Sequence, residues 1–329
     1  MVEEPQLIPL SQATAAKPLG LGCYRATISD AYVVGQVPCG GYVASCLLEA
    51  VNEHMRSRNQ PDALCAHFEF LERTLPGPAV ILVEEVKLGR QLSTVHVTLY
   101  QTGLLTEAPW VTKGVSSRKL VAYVTCFNIQ LQSGLTLKTS HALRNPPPLS
   151  MDFEKILREG NDEHWVPYGY GARSLEKPGL EIKVWDNLEF YVPRRGQHSN
   201  SVVDFWLRLR CGEPFTTASL AFVADTWPHI VEGYRESPGQ ESDAKTFPVT
   251  SLYWYPTVVL NLDMKKGLPP QGSHWLRMRV ESKEIRHGKL DLETLIYDQD
   301  GNLAAISQHV NLIVSVDRNL AKHKARSRI

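Results

Sequence analysis

Asp225 closes the apolar run "SLAFVAD", which sets a carboxyl group among residues destined for a core. It falls in the last turn of a helix predicted over 215–225, where the dipole disfavours an anion, and burial acts in the same direction. A carboxyl group so placed is a candidate general base; the alternative is an Asp that caps the helix or turns the chain. Thr257 opens the strand segment "TVVLNL" after Pro256, where its hydroxyl either faces inward or is simply that of a β-branched strand residue. Gln308 is a large amide in the otherwise apolar-rich "LAAISQHVNL". It either faces solvent or belongs to a polar cluster, because a buried amide needs partners. The pair Gly40–Gly41 in "VPCGGYVASCLLEAV" opens a helix together with Tyr42. Its spacing fits neither of the glycine-rich phosphate signatures nor the G-x-S-x-G nucleophile elbow. Room for close packing is the plain reading, and the free N–H groups of a helix start can also polarise a carbonyl. Cys39 precedes that helix but has no evident His partner, so it reads as a small buried residue.

These residues need elements to hold them. Between Tyr42 and Glu53 the polar positions Ser45, Glu49, Asn52 and Glu53 fall in one narrow stripe, leaving the helix apolar nearly all round. Such a helix must be enclosed, as by a sheet curving around it. The surrounding strands are legible: "STVHVTLYQTG" alternates Val95, Val97 and Leu99 with polar positions, "AVILVEEVKLGRQ" precedes it with a turn near Gly89, and "KLVAYVTCFNIQ" follows.

The second half repeats the scheme. "VKLGRQLSTVHVTLYQTG" aligns with "KEIRHGKLDLETLIYDQDG", and "KLVAYVTCFNI" with "NLAAISQHVNL". Met278 and Val280 alternate there with Arg277, Arg279 and Glu281, and "FTTASLAFVAD" supplies a second apolar helix before Pro228. The chain thus divides into an N-terminal arm (1–20), a first α+β unit (21–135), a Pro-rich linker with the short helix "MDFEKILRE" (136–178), a second unit (179–318) and a basic tail (319–329). The repeat fails at informative places: Thr125 stands opposite Gln308, and the first helix offers only Val51 or Asn52 where the second ends in Asp225. Polar chemistry is expected on the inner surface of one copy only.

With "PCGGYVASCLLEA", "VKLGRQLSTVHVTLYQTG", "LAFVAD", "YPTVVL" and "YDQDGNLAAISQ", the chain resembles the acyl-CoA thioesterase II family over roughly 20–318. The resemblance implies a double hot-dog fold: α+β, two fused units, each a long helix wrapped by a curved antiparallel sheet. It further implies that Asp225, Thr257 and Gln308 jointly hold a water that attacks the thioester, with no covalent enzyme intermediate and no metal or redox cofactor. Gly40, Gly41 and Tyr42 become candidates for contacting substrate near an oxyanion hole. Trp227 and Pro228 after the Asp, and "TVVLNL" in place of the family's "TLDL"-type strand, depart from the pattern and bear on acyl specificity.

Bulk properties agree. Lys plus Arg equals Asp plus Glu at 35 each, which gives no electrostatic case for nucleic acid. No apolar stretch is long enough to span a bilayer, and no secretory signal is visible. The six scattered cysteines form no C-x-x-C pair, so reduced thiols and no zinc site are expected. The expected partner is a small acyl thioester, on coenzyme A or a carrier protein, with homo-oligomerisation open. The expected location is the cytoplasm, with the peroxisome second because the chain ends in Ser-Arg-Ile. The competing functions are a non-hydrolytic acyl- or polyketide-binding or cyclising protein, and a hydratase or dehydratase, whose Asp/His pair is not visible in the sequence.

Overall fold

The structure, a computed structural model, describes residues 7–147, 150–168, 181–227, 229–236 and 246–321. The first unit contains β1 (Cys23–Ile28), α1 (Gly40–Met55), β2 (Asp62–Phe70), β3 (Gly77–Lys87), β4 (Ser93–Gln101) and β5 (Ser117–Phe127). After the linker helix α2 (Phe153–Glu159) the second unit contains β6 (Leu188–Pro193), β7 (Val202–Leu209), α3 (Leu220–Ala224), β8 (Thr257–Met264), β9 (Leu276–Glu281), β10 (Lys289–Asp298) and β11 (Leu303–Leu312), and a short α4 (Asp317–Leu320) follows. These strands form one antiparallel sheet in the order β1-β3-β4-β5-β2-β8-β11-β10-β9-β7-β6. The two units join through β2 and β8, with Phe68 opposite Leu260 and Ala66 opposite Leu262. No helix among the described residues is long and apolar enough to cross a membrane.

The apolar circumference of α1 has the expected consequence: Tyr42, Val43, Ala44, Ser45, Cys46 and Leu47 are fully buried. Its one early polar residue is used as a tie. Ser45 Oγ donates to the Ala218 carbonyl at 3.1 Å and accepts the Phe222 N–H at 3.0 Å, fastening α1 to α3. The second helix is far shorter than the sequence predicts, five residues instead of a run from 215. Thr216 and Ser219 are the reason. Ser219 Oγ accepts the Thr216 N–H at 2.9 Å and donates to the Thr216 carbonyl at 2.8 Å, so the preceding residues close a side-chain turn that competes with helix.

The linker does more than connect. Asp152 caps α2 by accepting the Lys155 N–H, and Gly160 ends it in the left-handed region at φ 78°. Its first residue, Phe153, meets Trp206 edge-to-face at 5.2 Å, in a cluster with Trp165, Tyr191 and Trp275. Buried Arg279 pairs with Asp204 at 2.7 Å and also donates to the Arg144 and Asn145 carbonyls. The alternation of β9 therefore does not separate core from solvent: Arg277 and Arg279 are as buried as Met278 and Val280. At the other end Asn319, counted in the basic tail by sequence, is fully buried. Its amide donates to the Val34 carbonyl and accepts the Gln36 N–H, while Arg73 donates to the Arg318 carbonyl at 2.8 Å, so α4 is bound to the first unit. Pro228 and the terminal Ser327–Arg328–Ile329 lie outside the described residues.

Candidate active site

Asp225 follows the last residue of α3 and is almost wholly buried. The sequence suggests a carboxylate facing the negative end of its own helix. In the folded chain it instead meets the start of α1: Oδ2 accepts the Gly41 N–H at 2.7 Å across 184 residues. The longer helix presents its positive end, which favours an anion there. On the other oxygen, Oδ1 accepts the Thr257 hydroxyl at 2.8 Å. Thr257 in turn accepts the Asn311 side-chain N–H at 2.8 Å. The hydroxyl's single proton is therefore committed to Asp225, and one lone pair remains for a further donor.

The glycine pair divides its work. A Cβ on Gly41 would stand 2.4 Å from the Ala221 carbonyl oxygen and 2.5 Å from Asp225 Cβ, so this position needs glycine for the two helices to approach. Gly40 lines a cavity, and as the first residue of α1 its N–H has no intrahelical acceptor. Tyr42 does not contact that cavity, contrary to expectation. It lies two residues beyond Gly40, roughly 200° around a helix of 3.6 residues per turn. Its hydroxyl donates to the Ala13 carbonyl and accepts the Ser29 N–H, and its ring stacks on Tyr32. Gly41 likewise spends its N–H on Asp225 and does not line the cavity.

Gln308 is not brought to the site. It is exposed on β11, opposite Asn261 of β8 and Glu293 of β10, on the outer face of the sheet. Strand alternation decides this: Ser307, His309 and Asn311 point inward, and Gln308 and Val310 outward. The repeat places Thr125 opposite Gln308 correctly by face, because Thr125 is flanked by buried Val124 and Cys126. The inner residues one step away were missed. Their signal was available as polar residues at a spacing of two, Ser307, His309 and Asn311, with an apolar Val310 that is 45% exposed. His309 is fully enclosed, its Nδ1 3.5 Å from Asp225 Oδ1 and its Nε2 2.7 Å from Ser307 Oγ. We expect Gln308→Ala to leave turnover within about two-fold of wild type, the range of a surface change away from the site; a steady-state assay beside Asp225 variants checks this.

Cys39 donates to Asp225 Oδ2 at 3.6 Å. Burial, and then the neighbouring Asp225 carboxylate, push its thiol well above the ordinary cysteine range. It is held as S–H and is no nucleophile. No cluster of His, Cys, Asp and Glu suited to a metal occurs among the described residues.

The cavity reaches Asp225, Gly40 and Thr257 and has a volume of about 630 Å³. Its walls are aromatic and aliphatic, with Phe70, Trp185, Tyr253, Trp254 and Val258 among them. Trp227, one of the departures after Asp225, is buried behind this wall, stacked on Trp185 at 5.5 Å. A polar patch interrupts the walls where Tyr255 donates to Glu232, which also pairs with Arg235. Arg318 and Ala321, at the α4 end, also line the cavity. Arg194 spends its guanidinium on Asn161 and the Asp162 carbonyl.

Residues 28–125 match the acyl-CoA thioesterase N-terminal domain and residues 162–313 the acyl-CoA thioesterase C-terminal domain. The chain is 40% identical to the thioesterase-like protein TwmA of Talaromyces wortmannii, across 97% of this chain and 95% of that one. Among solved structures, a hot dog fold protein of unknown function from Alicyclobacillus acidocaldarius superposes with a TM-score of 0.67 at 16% identity, covering 93% of this chain and 98% of that one. An acyl-CoA thioesterase II from Mycobacterium marinum gives 0.61 at 16% identity, with the same coverage. At such identities the likeness shows the fold: α+β, a double hot-dog.

Proposed function

Because the chain belongs to the acyl-CoA thioesterase family, we propose that it hydrolyses acyl thioesters with Asp225 as general base and Thr257 as its partner in holding water. The observation that carries this reading is a carboxylate at the wall of an apolar cavity, fixed by Gly41 N–H on one oxygen and Thr257 O–H on the other. A carboxylate has about four acceptor positions, so two remain after these bonds, and the one on Oδ2, approached only by the weak Cys39 S–H donor at 3.6 Å, is the position for water. The water donates to Asp225 and to the free lone pair of Thr257. Its oxygen attacks the thioester carbon as Asp225 takes the proton, and Gly40 N–H meets the oxyanion. Collapse breaks the C–S bond, and Asp225 returns the proton to the leaving thiolate. The products are an acid and a thiol.

The cavity supports a bulky apolar or aromatic acyl group over an acetyl-sized one, on coenzyme A or a carrier protein. The test is thiol release from short, medium, long and aromatic acyl-CoAs. We expect the longer and aromatic members to lead; no release from any of them by folded protein defeats the reading for coenzyme A substrates. Thr257→Val keeps the shape and removes the hydroxyl, so kcat is expected to fall about 10²-fold, at the low end of what one positioned proton-transfer group supplies. Unchanged kcat in that variant rules out the hydroxyl's role. A second reading has one observation in its favour: folding brings Asp225 and His309 to 3.5 Å, an Asp/His pair of the kind a hydratase or dehydratase needs. An absorbance change on enoyl thioesters without free thiol would select it. Binding without turnover would select a scaffold. The proposed location remains the cytoplasm.

A further inference from the structure

We propose that His309 is a positioning residue for Asp225, holding Oδ1 from beside Thr257. The inference rests on the hydrolase reading above. Its basis is a proton count. Ser307 Oγ has one proton and two neighbours able to take it, the Asn261 carbonyl at 2.8 Å and His309 Nε2 at 2.7 Å. If the proton goes to Nε2, the imidazole carries its own on Nδ1, the nitrogen nearer Asp225. If it goes to Asn261, Nε2 must be the donor to Ser307, and a neutral ring would turn an Nδ1 lone pair towards a carboxylate oxygen. That arrangement is repulsive, so a proton on Nδ1 is the arrangement that suits a carboxylate oxygen 3.5 Å away. Nδ1 is buried and has no hydrogen-bond partner, with Asp225 Oδ1 3.5 Å away. A buried donor without a full bond is costly, and hydrogen bonds in a site without substrate are often long and tighten when it binds.

The surroundings leave His309 few other tasks. Its neighbours across the sheet, Leu260 and Leu292, are apolar and buried, so Asp225 is the charged group it meets. It does not line the cavity and cannot touch substrate; it acts through the carboxylate. Asn311 does the corresponding work for Thr257 from the same face of β11. One inward row of the last strand therefore orients both residues that hold the water.

The test compares His309→Leu with His309→Gln. Leucine fills the space without a donor, and glutamine restores one. With both variants folded by thermal melting, leucine is expected to lower kcat about 10- to 100-fold with KM nearly unchanged, and glutamine to recover most of that loss. Leucine at wild-type kcat, or glutamine no better than leucine, overturns the inference. A second measurement is independent of turnover: the imidazole 15N resonances of His309 are expected to shift in Asp225→Asn, and resonances that do not move overturn it too. Failure of the hydrolase reading looks different, because wild-type protein would then release no thiol while the 15N coupling persisted.

Discussion

Asp225→Asn is expected to remove thiol release, by about 10³-fold or more, the upper part of the range for a general base. The substitution keeps the size and planarity of the side chain and removes its basicity. It also disturbs the bonding. Gly41 N–H and Thr257 O–H now reach opposite ends of the group, each of which must accept. An amide can accept at one end only, so one donor is left facing an NH2. If that is Gly41, a buried N–H loses its acceptor, at a cost of about 1–3 kcal/mol. Thr257 can rotate its proton to the position of its free lone pair and accept from both the amide and Asn311, but that position is then lost to the water. The variant should therefore melt somewhat below wild type and still be fully folded at assay temperature. Thiol release within a few-fold of wild type, in protein whose folding is verified by circular dichroism, would exclude Asp225 as the base.

Gly41→Ala should damage both stability and activity. The added methyl would meet backbone at 2.4 Å, and Asp225 Cβ at 2.5 Å, distances that no side-chain rotation relieves. The helices must part, at a cost of about 1–3 kcal/mol or more for an overpacked core. That movement also draws Gly41 N–H away from Oδ2 and shifts the base. Gly40→Ala is the natural control. Its Cβ would lie 3.0 Å from Asp225 Oδ2 and 3.1 Å from the Phe70 ring, and a ring can give way. The expected result is a clear drop in melting temperature and turnover for Gly41→Ala, and a smaller loss of stability for Gly40→Ala. Wild-type melting and rate in Gly41→Ala would mean that the helices do not approach as described. At Gly41 the contact that needs a missing side chain also delivers the N–H to the carboxylate.

Much of this protein was legible in its residues. A helix apolar around most of its circumference had to be enclosed, and it is. Alternation and the internal repeat gave two α+β units, and the carboxyl at the end of an apolar run lies at the wall of the cavity. These are local signals, carried by periodicities of 3.6 and 2 and by burial preference. The length of the second helix was local as well, but Thr216 and Ser219 act through hydrogen bonds that hydrophobic periodicity ignores. The burial of Arg277 and Arg279 was not local. A linker more than a hundred residues earlier in the chain covers that face of the sheet.

Tertiary structure alone decided which polar residues meet. Asp225 draws its N–H donor from 184 residues away and its hydroxyl donor from 32 residues away. The dipole acting on it belongs to a helix that the sequence gives no reason to place there. In β11 the choice between Gln308 and His309 is a choice of face, and a shift of one residue exchanges all inward and outward side chains. Residue type favoured the amide. The register of β11 between β8 and β10 turned the imidazole inward, because pairing along the whole strand fixes the face of each residue in it.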